Sequence, residues 1–130
     1  MDSGSADAQS PGGDRAAVKA LSDHEIIELI GRGRTLRRAA LLELIGRART
    51  DAHLVQPLAD LAEDPRLRED RLFHLVSMAW VAIIGLLGIE TPGSRAAASR
   101  AFAALDPRDQ ELLLGYLRVE RLEDAHPDRV

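Results

Sequence analysis

An uncharged stretch in the second half of the chain limits how the chain can fold. From Leu72 to Ile89, 18 consecutive residues include no Asp, Glu, Lys or Arg. A helix that is apolar on every side must be covered all round, either by other helices or by lipid. We favour burial among helices of the same chain, because His74, Ser77 and Trp80 interrupt the first half of the stretch. A single membrane span over residues 72–89 is the alternative.

The apolar residues are those of a helical core. They make up 45% of the sequence, yet aromatic residues account for only 3%. Leu, Ile, Val and Ala must therefore fill the interior, which is typical of packed helices. Cysteine is absent, so disulfides and thiolate metal sites are excluded for these residues, and a cytoplasmic location is expected. Because Lys19 is the sole lysine among 17 basic residues, a GC-rich bacterial source is indicated.

Helix-start signals divide the chain into five or six predicted helices. Ser22 and Glu25 have the spacing of a capping box, which predicts a helix beginning near Asp23. The Asp-Pro pairs at 64–65 and 106–107 each predict a helix start, and we expect the first of these helices to run to about Leu87. Further caps are predicted at Thr35, Asp51 and Ser94.

The sequence predicts an all-α fold with one structured unit. We expect a disordered N-terminal tail over residues 1–16, a single helical domain over residues 17–122 and a charged C-terminal tail over residues 123–130. No segment has the pattern of a strand. The domain is predicted to be a compact antiparallel helical stack, or alternatively an irregular helical bundle.

A long internal match suggests how the helices are arranged. Residues 39–66 align with residues 81–108 at an offset of 42, with eight identities in 28 positions. Asp64-Pro65-Arg66 falls on Asp106-Pro107-Arg108, and Gly46 falls on Gly88. The spacing and the order of helix, loop, helix and Asp-Pro resemble the HEAT and armadillo helical repeats over about residues 36–120. The resemblance implies stacked helix pairs and a macromolecule-binding role.

A shorter match places arginines in equivalent positions. Residues 26–35 and residues 41–50 share seven identities in ten, and each copy ends in Gly, an Arg-x-Arg pair and Thr. On one interpretation, two neighbouring turns present the same Arg-x-Arg pair to a partner. On the other, these arginines bind the carbonyl groups at helix C-termini, together with water.

Both copies belong to a basic cluster, which we name the arginine ridge. Six arginines lie between Gly31 and Thr50 against the single acid Glu43. Arginine pairs with carboxylates and phosphates through two hydrogen bonds, so the ridge is the predicted partner-binding site, although a merely solvated face is the alternative. An acidic stretch over residues 60–70 follows, so the chain could also pair with itself. The predicted partner-binding residues are Arg32, Arg34, Arg37, Arg38, Arg47 and Arg49.

Catalytic chemistry is not predicted. The four histidines have no metal-ligand spacing, and no nucleophile stands with a base and a carboxylate in a known pattern. We interpret His74 as a hydrogen-bonded core or groove histidine. No catalytic residue, metal or cofactor is therefore expected.

The favoured hypothesis is a non-catalytic module for protein–protein interaction, such as an adaptor. Its affinity would come from buried apolar anchors, and the arginine ridge would set the orientation of the partner. A second hypothesis is a HEAT-like nucleic-acid-binding protein that uses the same ridge. A third is a single-span membrane protein with its helix at residues 72–89.

Overall fold

The chain folds as a packed set of α-helices. A computed structural model describes residues 11–33, 35–71 and 76–126, and for residues 11–14 it describes the backbone alone. The predicted all-α class is confirmed, and the described residues contain an isolated bridge between Arg71 and Ser77 but no strand. Eight α-helices lie in these ranges: α1 Pro11–Lys19, α2 Asp23–Arg32, α3 Arg37–Ala48, α4 Val55–Ala62, α5 Pro65–Glu69, α6 Met78–Ile89, α7 Pro92–Ala103 and α8 Pro107–Leu117. Short 3-10 helices cover Ala52–Leu54 and Leu122–Asp124.

Three of the eight helix starts follow the predicted signals. The capping box of Ser22 and Glu25 opens α2, and the Asp64 and Asp106 carboxylates cap α5 and α8. The predicted cap at Thr35 is wrong, because α3 begins after Leu36 in a left-handed conformation (φ 61°) with no side-chain cap.

The start of α7 also differs from the prediction. Thr91, and not Ser94, is the N-cap residue, and Pro92 occupies the first turn where its missing N–H costs nothing. Ser94 is instead the third residue of the capping box. Its backbone N–H donates to Thr91 Oγ1, and its Oγ accepts a hydrogen bond from the Thr91 N–H.

The uncharged stretch is not one helix. The predicted continuous helix from Pro65 to about Leu87 is wrong: α5 ends at Glu69, and α6 begins only at Met78, where Ser77 caps it. The Asp70 carbonyl accepts a hydrogen bond from Met78 N at 2.7 Å across the break. No helix among the described residues is long and apolar enough to cross a membrane. The single helix that the membrane-span hypothesis requires is therefore not found among these residues. His74, which we interpreted as a core or groove histidine, lies outside the described residues.

Helix α6 forms the centre of the core. It packs against α3, α4, α5 and α7, and Trp80, Ile83 and Leu86 along it are buried. Most of its apolar residues are thus covered by other helices of the same chain, while Val81, Ile84 and Ile89 are only partly buried.

Ordered structure extends into both predicted tails. Helix α1 occupies residues 11–16 of the predicted N-terminal tail, and Val18 on the same helix is fully buried. At the other end, Leu122 and Ala125 are buried, and Arg95 donates hydrogen bonds to the carbonyls of Glu123 and Ala125. Residues 1–10 and 127–130 lie outside the described ranges.

The helices that the 42-residue match aligns lie beside each other. α3 packs on α6, and α4 packs on α7. The pair of α3 and α4 is followed by the Asp-Pro helix start at Asp64, and the pair of α6 and α7 is followed by the one at Asp106. The resemblance to HEAT repeats stays a prediction.

Candidate docking groove

The arginine ridge is divided by the fold. Arg37 lies inside the molecule with its side chain only 6% exposed, where it forms an ion pair with Asp70 at 2.7 Å. Its Nε also donates to the Ile30 carbonyl at 2.7 Å. The structure therefore removes Arg37 from the predicted partner-binding set, and Arg34 lies outside the described residues.

Arg47 is also committed to contacts within the chain. Its guanidinium binds the carboxylates of Glu43 and Asp23 at 2.9 and 2.8 Å. It also donates to the carbonyls of Lys19, the last residue of α1, and of Leu21 just beyond it, so it ties α1 to α3. The hydrogen bond from Arg47 holds the pKa of Glu43 below its ordinary value.

Arginines contacting helix C-termini recur in this fold. Arg47 contacts the end of α1, as the second interpretation of the short repeat predicted, and Arg37, which lies outside the repeat, contacts the last turn of α2. Arg66 donates to the Gly31 carbonyl and Arg68 to the Ala104 carbonyl, which lie at the ends of α2 and α7. Positive charge at these positions stabilises the negative end of each helix dipole.

Three ridge arginines are exposed: Arg32, Arg38 and Arg49. Arg32 lies on α2 and makes a loose pair with Glu28 at 3.8 Å. Arg38 and Arg49 belong to α3 and its C-cap, and both line the same groove. Arg38 has no hydrogen-bond or ion-pair partner among the described residues.

The groove lies between α3, α6 and α8. It encloses about 510 Å³. Its wall on α3 is made by Arg38, Leu42, Ile45 and Arg49, and its remaining lining residues are Val76, Trp80, Val81, Ile84, Gly85 and Tyr116. The surface is thus apolar except for two guanidinium groups and a phenol.

The floor of the groove is the contact between α3 and α6. A Cβ atom added to Gly85 would lie 2.6 Å from Ile45 Cδ1 and 2.7 Å from Cγ1. The absence of a side chain at Gly85 therefore allows the two helices to approach each other closely.

Two aromatic residues, Trp80 and Tyr116, line the groove. Tyr116 on α8 is 65% exposed, the one large apolar side chain in the described residues that is so exposed. Its ring centroid lies 6.2 Å from that of Trp80, which is buried. Trp80 Nε1 is buried without a hydrogen-bond partner among the described residues.

Comparison of the chain with known proteins does not indicate what the groove binds. No family model, curated protein or solved structure matches the chain. Sequence reasoning selected Arg38 and Arg49 but missed the apolar residues beside them. The signal was present, because Leu42 and Ile45 lie between these arginines at helical spacing.

Proposed function

We propose that this chain is a non-catalytic protein-binding module whose groove between α3, α6 and α8 holds an apolar, acidic segment of another protein. The observation that carries the proposal is an apolar groove bordered by Arg38 and Arg49. Concave, mostly apolar surface with a few placed polar groups is characteristic of binding sites, and Arg38 complements carboxylates.

Tyr116 supports a protein partner in particular. Tyrosine is enriched among residues that dominate binding energy, because it offers a large rigid ring with a polar tip. Its ring is exposed at the groove and rests near Trp80, so a bound segment would cover it.

A nucleic-acid partner is less well supported by the same residues. Binding to phosphates needs several basic side chains along one face. Arg37 and Arg47 are held in ion pairs, and Arg32 lies on a different helix from Arg38 and Arg49.

Selection from a random peptide library tests the proposal. Wild-type protein should enrich peptides that combine Leu, Ile or aromatic residues with Asp or Glu. Ile84→Lys places a charge in the groove and should abolish this enrichment. Ile27→Lys is the matched control, because Ile27 is equally half-buried but lies on α2 outside the groove.

Three results would overturn the proposal. They are the absence of enriched peptides, enrichment of basic peptides, and equal enrichment by Ile84→Lys. Binding of an oligonucleotide duplex that weakens by orders of magnitude between about 50 and 200 mM salt would favour the nucleic-acid hypothesis instead.

A further inference from the structure

The groove between α3, α6 and α8 has the size and lining of a small-molecule site. Its volume of about 510 Å³ lies within the range of roughly 300–1,000 Å³ that is typical of such sites. Its lining is mainly aliphatic and aromatic, with Arg38 as a charged group at its border. Small-molecule sites combine such apolar walls with a few polar groups that fix the orientation of the ligand. The groove can therefore hold a compact ligand as well as a protein segment.

Arg38 sets the charge of such a ligand. Arg38 is exposed, and its guanidinium has no hydrogen-bond or ion-pair partner among the described residues. Arg49 also lines the groove, but it already interacts within the chain. None of the described residues that line the groove is acidic. One unpaired positive charge matches a carboxylate, which carries a single negative charge, whereas a phosphate monoester carries about −1.5 to −2 at neutral pH.

Tyr116 indicates the chemistry of the apolar part of the ligand. Tyr116 is 65% exposed, and its ring lies 6.2 Å from the buried ring of Trp80, with the two planes tilted by 47°. Aromatic rings attract each other beyond the effect of burial when their centroids are about 4.5–7 Å apart. An aromatic ligand gains this attraction by adding a third ring to the pair, and an aliphatic ligand does not.

We infer that the groove is a binding site for a small aromatic carboxylic acid, and that this ligand excludes the partner segment from the same groove. The carboxylate pairs with Arg38, and the aromatic ring lies against Tyr116 over the apolar contact between α3 and α6. A ligand of this class regulates the binding of the partner by occupying its place. The site itself goes beyond the proposed function, whereas its regulatory effect rests on that function.

Three probes with the same naphthalene ring separate the ligand classes. They are naphthylacetate, its primary amide and naphthyl phosphate. Isothermal titration calorimetry measures the affinity of the full chain for each probe. The indole N–H of Trp80 gives a single cross-peak in a heteronuclear NMR spectrum, because Trp80 is the sole tryptophan in the sequence. Since Trp80 lines the groove, the shift of this cross-peak during a titration reports binding at the groove.

The carboxylate should bind about two- to fivefold more tightly than the amide, because an exposed ion pair with Arg38 adds a modest attraction. It should also bind more tightly than the phosphate, whose second charge stays unpaired in an apolar groove. Arg38→Gln should remove the preference for the carboxylate over the amide. Tyr116→Leu should weaken the binding of naphthylacetate by roughly two- to tenfold.

Matched variants control for these effects. Arg32→Gln removes an exposed arginine outside the groove and should leave the preference for the carboxylate unchanged. Ile84→Glu places a negative charge in the groove and should abolish the binding of naphthylacetate. Ile27→Glu, at an equally half-buried position on α2 outside the groove, should bind it as wild-type protein does.

Several results would overturn the inferred site. The site is wrong if naphthylacetate does not bind, if it binds without shifting the Trp80 cross-peak, or if Ile84→Glu binds it as well as wild type does. Equal binding of the carboxylate and the amide, or tighter binding of the phosphate, overturns the carboxylate class. Unchanged binding by Tyr116→Leu overturns the aromatic class.

A competition measurement tests the regulatory effect. Naphthylacetate should displace a peptide enriched in the library selection from wild-type protein, and simultaneous binding of both would overturn the exclusion. If naphthylacetate binds as expected but no peptide is enriched, the proposed protein-binding function fails and the small-molecule site stands. If peptides are enriched but naphthylacetate does not bind, the site is overturned and the protein-binding function stands.

Discussion

Gly85 lies where α6 packs closely against Ile45 of α3. Gly85→Ala would place a methyl group within 2.7 Å of Ile45 Cγ1, an atom that cannot rotate away freely because Ile is branched at Cβ. We expect the free energy of unfolding to fall by about 1–3 kcal/mol. Urea denaturation followed by circular dichroism measures the change.

Gly46 provides the control for this substitution. It also lies inside a helix, α3, but a Cβ atom there would meet nothing within 4 Å. Gly46→Ala should therefore stabilise the protein by roughly 0.5–1 kcal/mol, because alanine restricts the unfolded chain more than glycine does. Equal effects of the two substitutions would contradict the close packing of α3 on α6.

Arg37 and Asp70 form a buried ion pair. Both side chains are less than one-tenth exposed, and each neutralises the charge of the other. Asp70→Ala leaves the Arg37 charge buried with one partner fewer, so we expect a loss of about 3–5 kcal/mol in unfolding free energy. Glu28→Ala, which breaks an exposed pair with Arg32, should change it by less than about 1 kcal/mol.

Helix α1 is tied to the rest of the molecule by Arg47. The short sequence repeat makes Arg32 and Arg47 equivalent, yet Arg47 binds four acceptors while Arg32 is 76% exposed on its side chain. The copies therefore do not present the same surface. Identical local sequence produces different roles because α1 packs beside only one of the two arginines.

A matched pair of variants tests this difference. Arg47→Ala should lower the free energy of unfolding by about 2–3 kcal/mol, because partly buried carbonyl and carboxylate acceptors lose a charged donor. Arg32→Ala should lower it by less than about 0.5 kcal/mol. Amide hydrogen exchange should show faster exchange in α1 for Arg47→Ala alone. Similar stability losses in both variants would refute the assignment of Arg47 as the tie.

At the scale of the whole molecule, acid should unfold the protein through its arginine-paired carboxylates. Arg47 lowers the pKa of Glu43 from its ordinary 4.5, and Arg66 lowers that of Asp64 from its ordinary 3.8. Below these ordinary values the unfolded chain takes up protons that the folded chain does not. The stabilisation is therefore complete above them and is lost as the pH falls through the lowered values.

Urea titrations from neutral pH to about pH 3 measure this loss. In Glu43→Gln the side chain no longer titrates, so this variant should be less stable than wild type at neutral pH. The difference should shrink as the pH falls and Glu43 in the wild type becomes protonated. A difference that stays constant with pH would show that the Glu43 carboxylate is not stabilised in the folded state.

The local sequence determined the helical class and three of the helix starts. Ser22, Asp64 and Asp106 cap helices because an oxygen acceptor at that position satisfies neighbouring backbone N–H groups, which needs no distant contact. The break after Glu69 could not be read from hydrophobicity, because it depends on the pairing of Arg71 with Ser77 and of Asp70 with Met78.

Only the tertiary structure decided which arginines are exposed. In sequence, Arg37, Arg38, Arg47 and Arg49 form one basic cluster, and their separate environments arise from packing against Asp70, α1 and α6. The spacing of Leu42 and Ile45 between Arg38 and Arg49 is visible in the sequence, but the groove exists because α6 and α8 border these residues. Local sequence acts through neighbouring backbone groups, whereas the burial of a charge and the walls of a groove depend on residues distant in sequence.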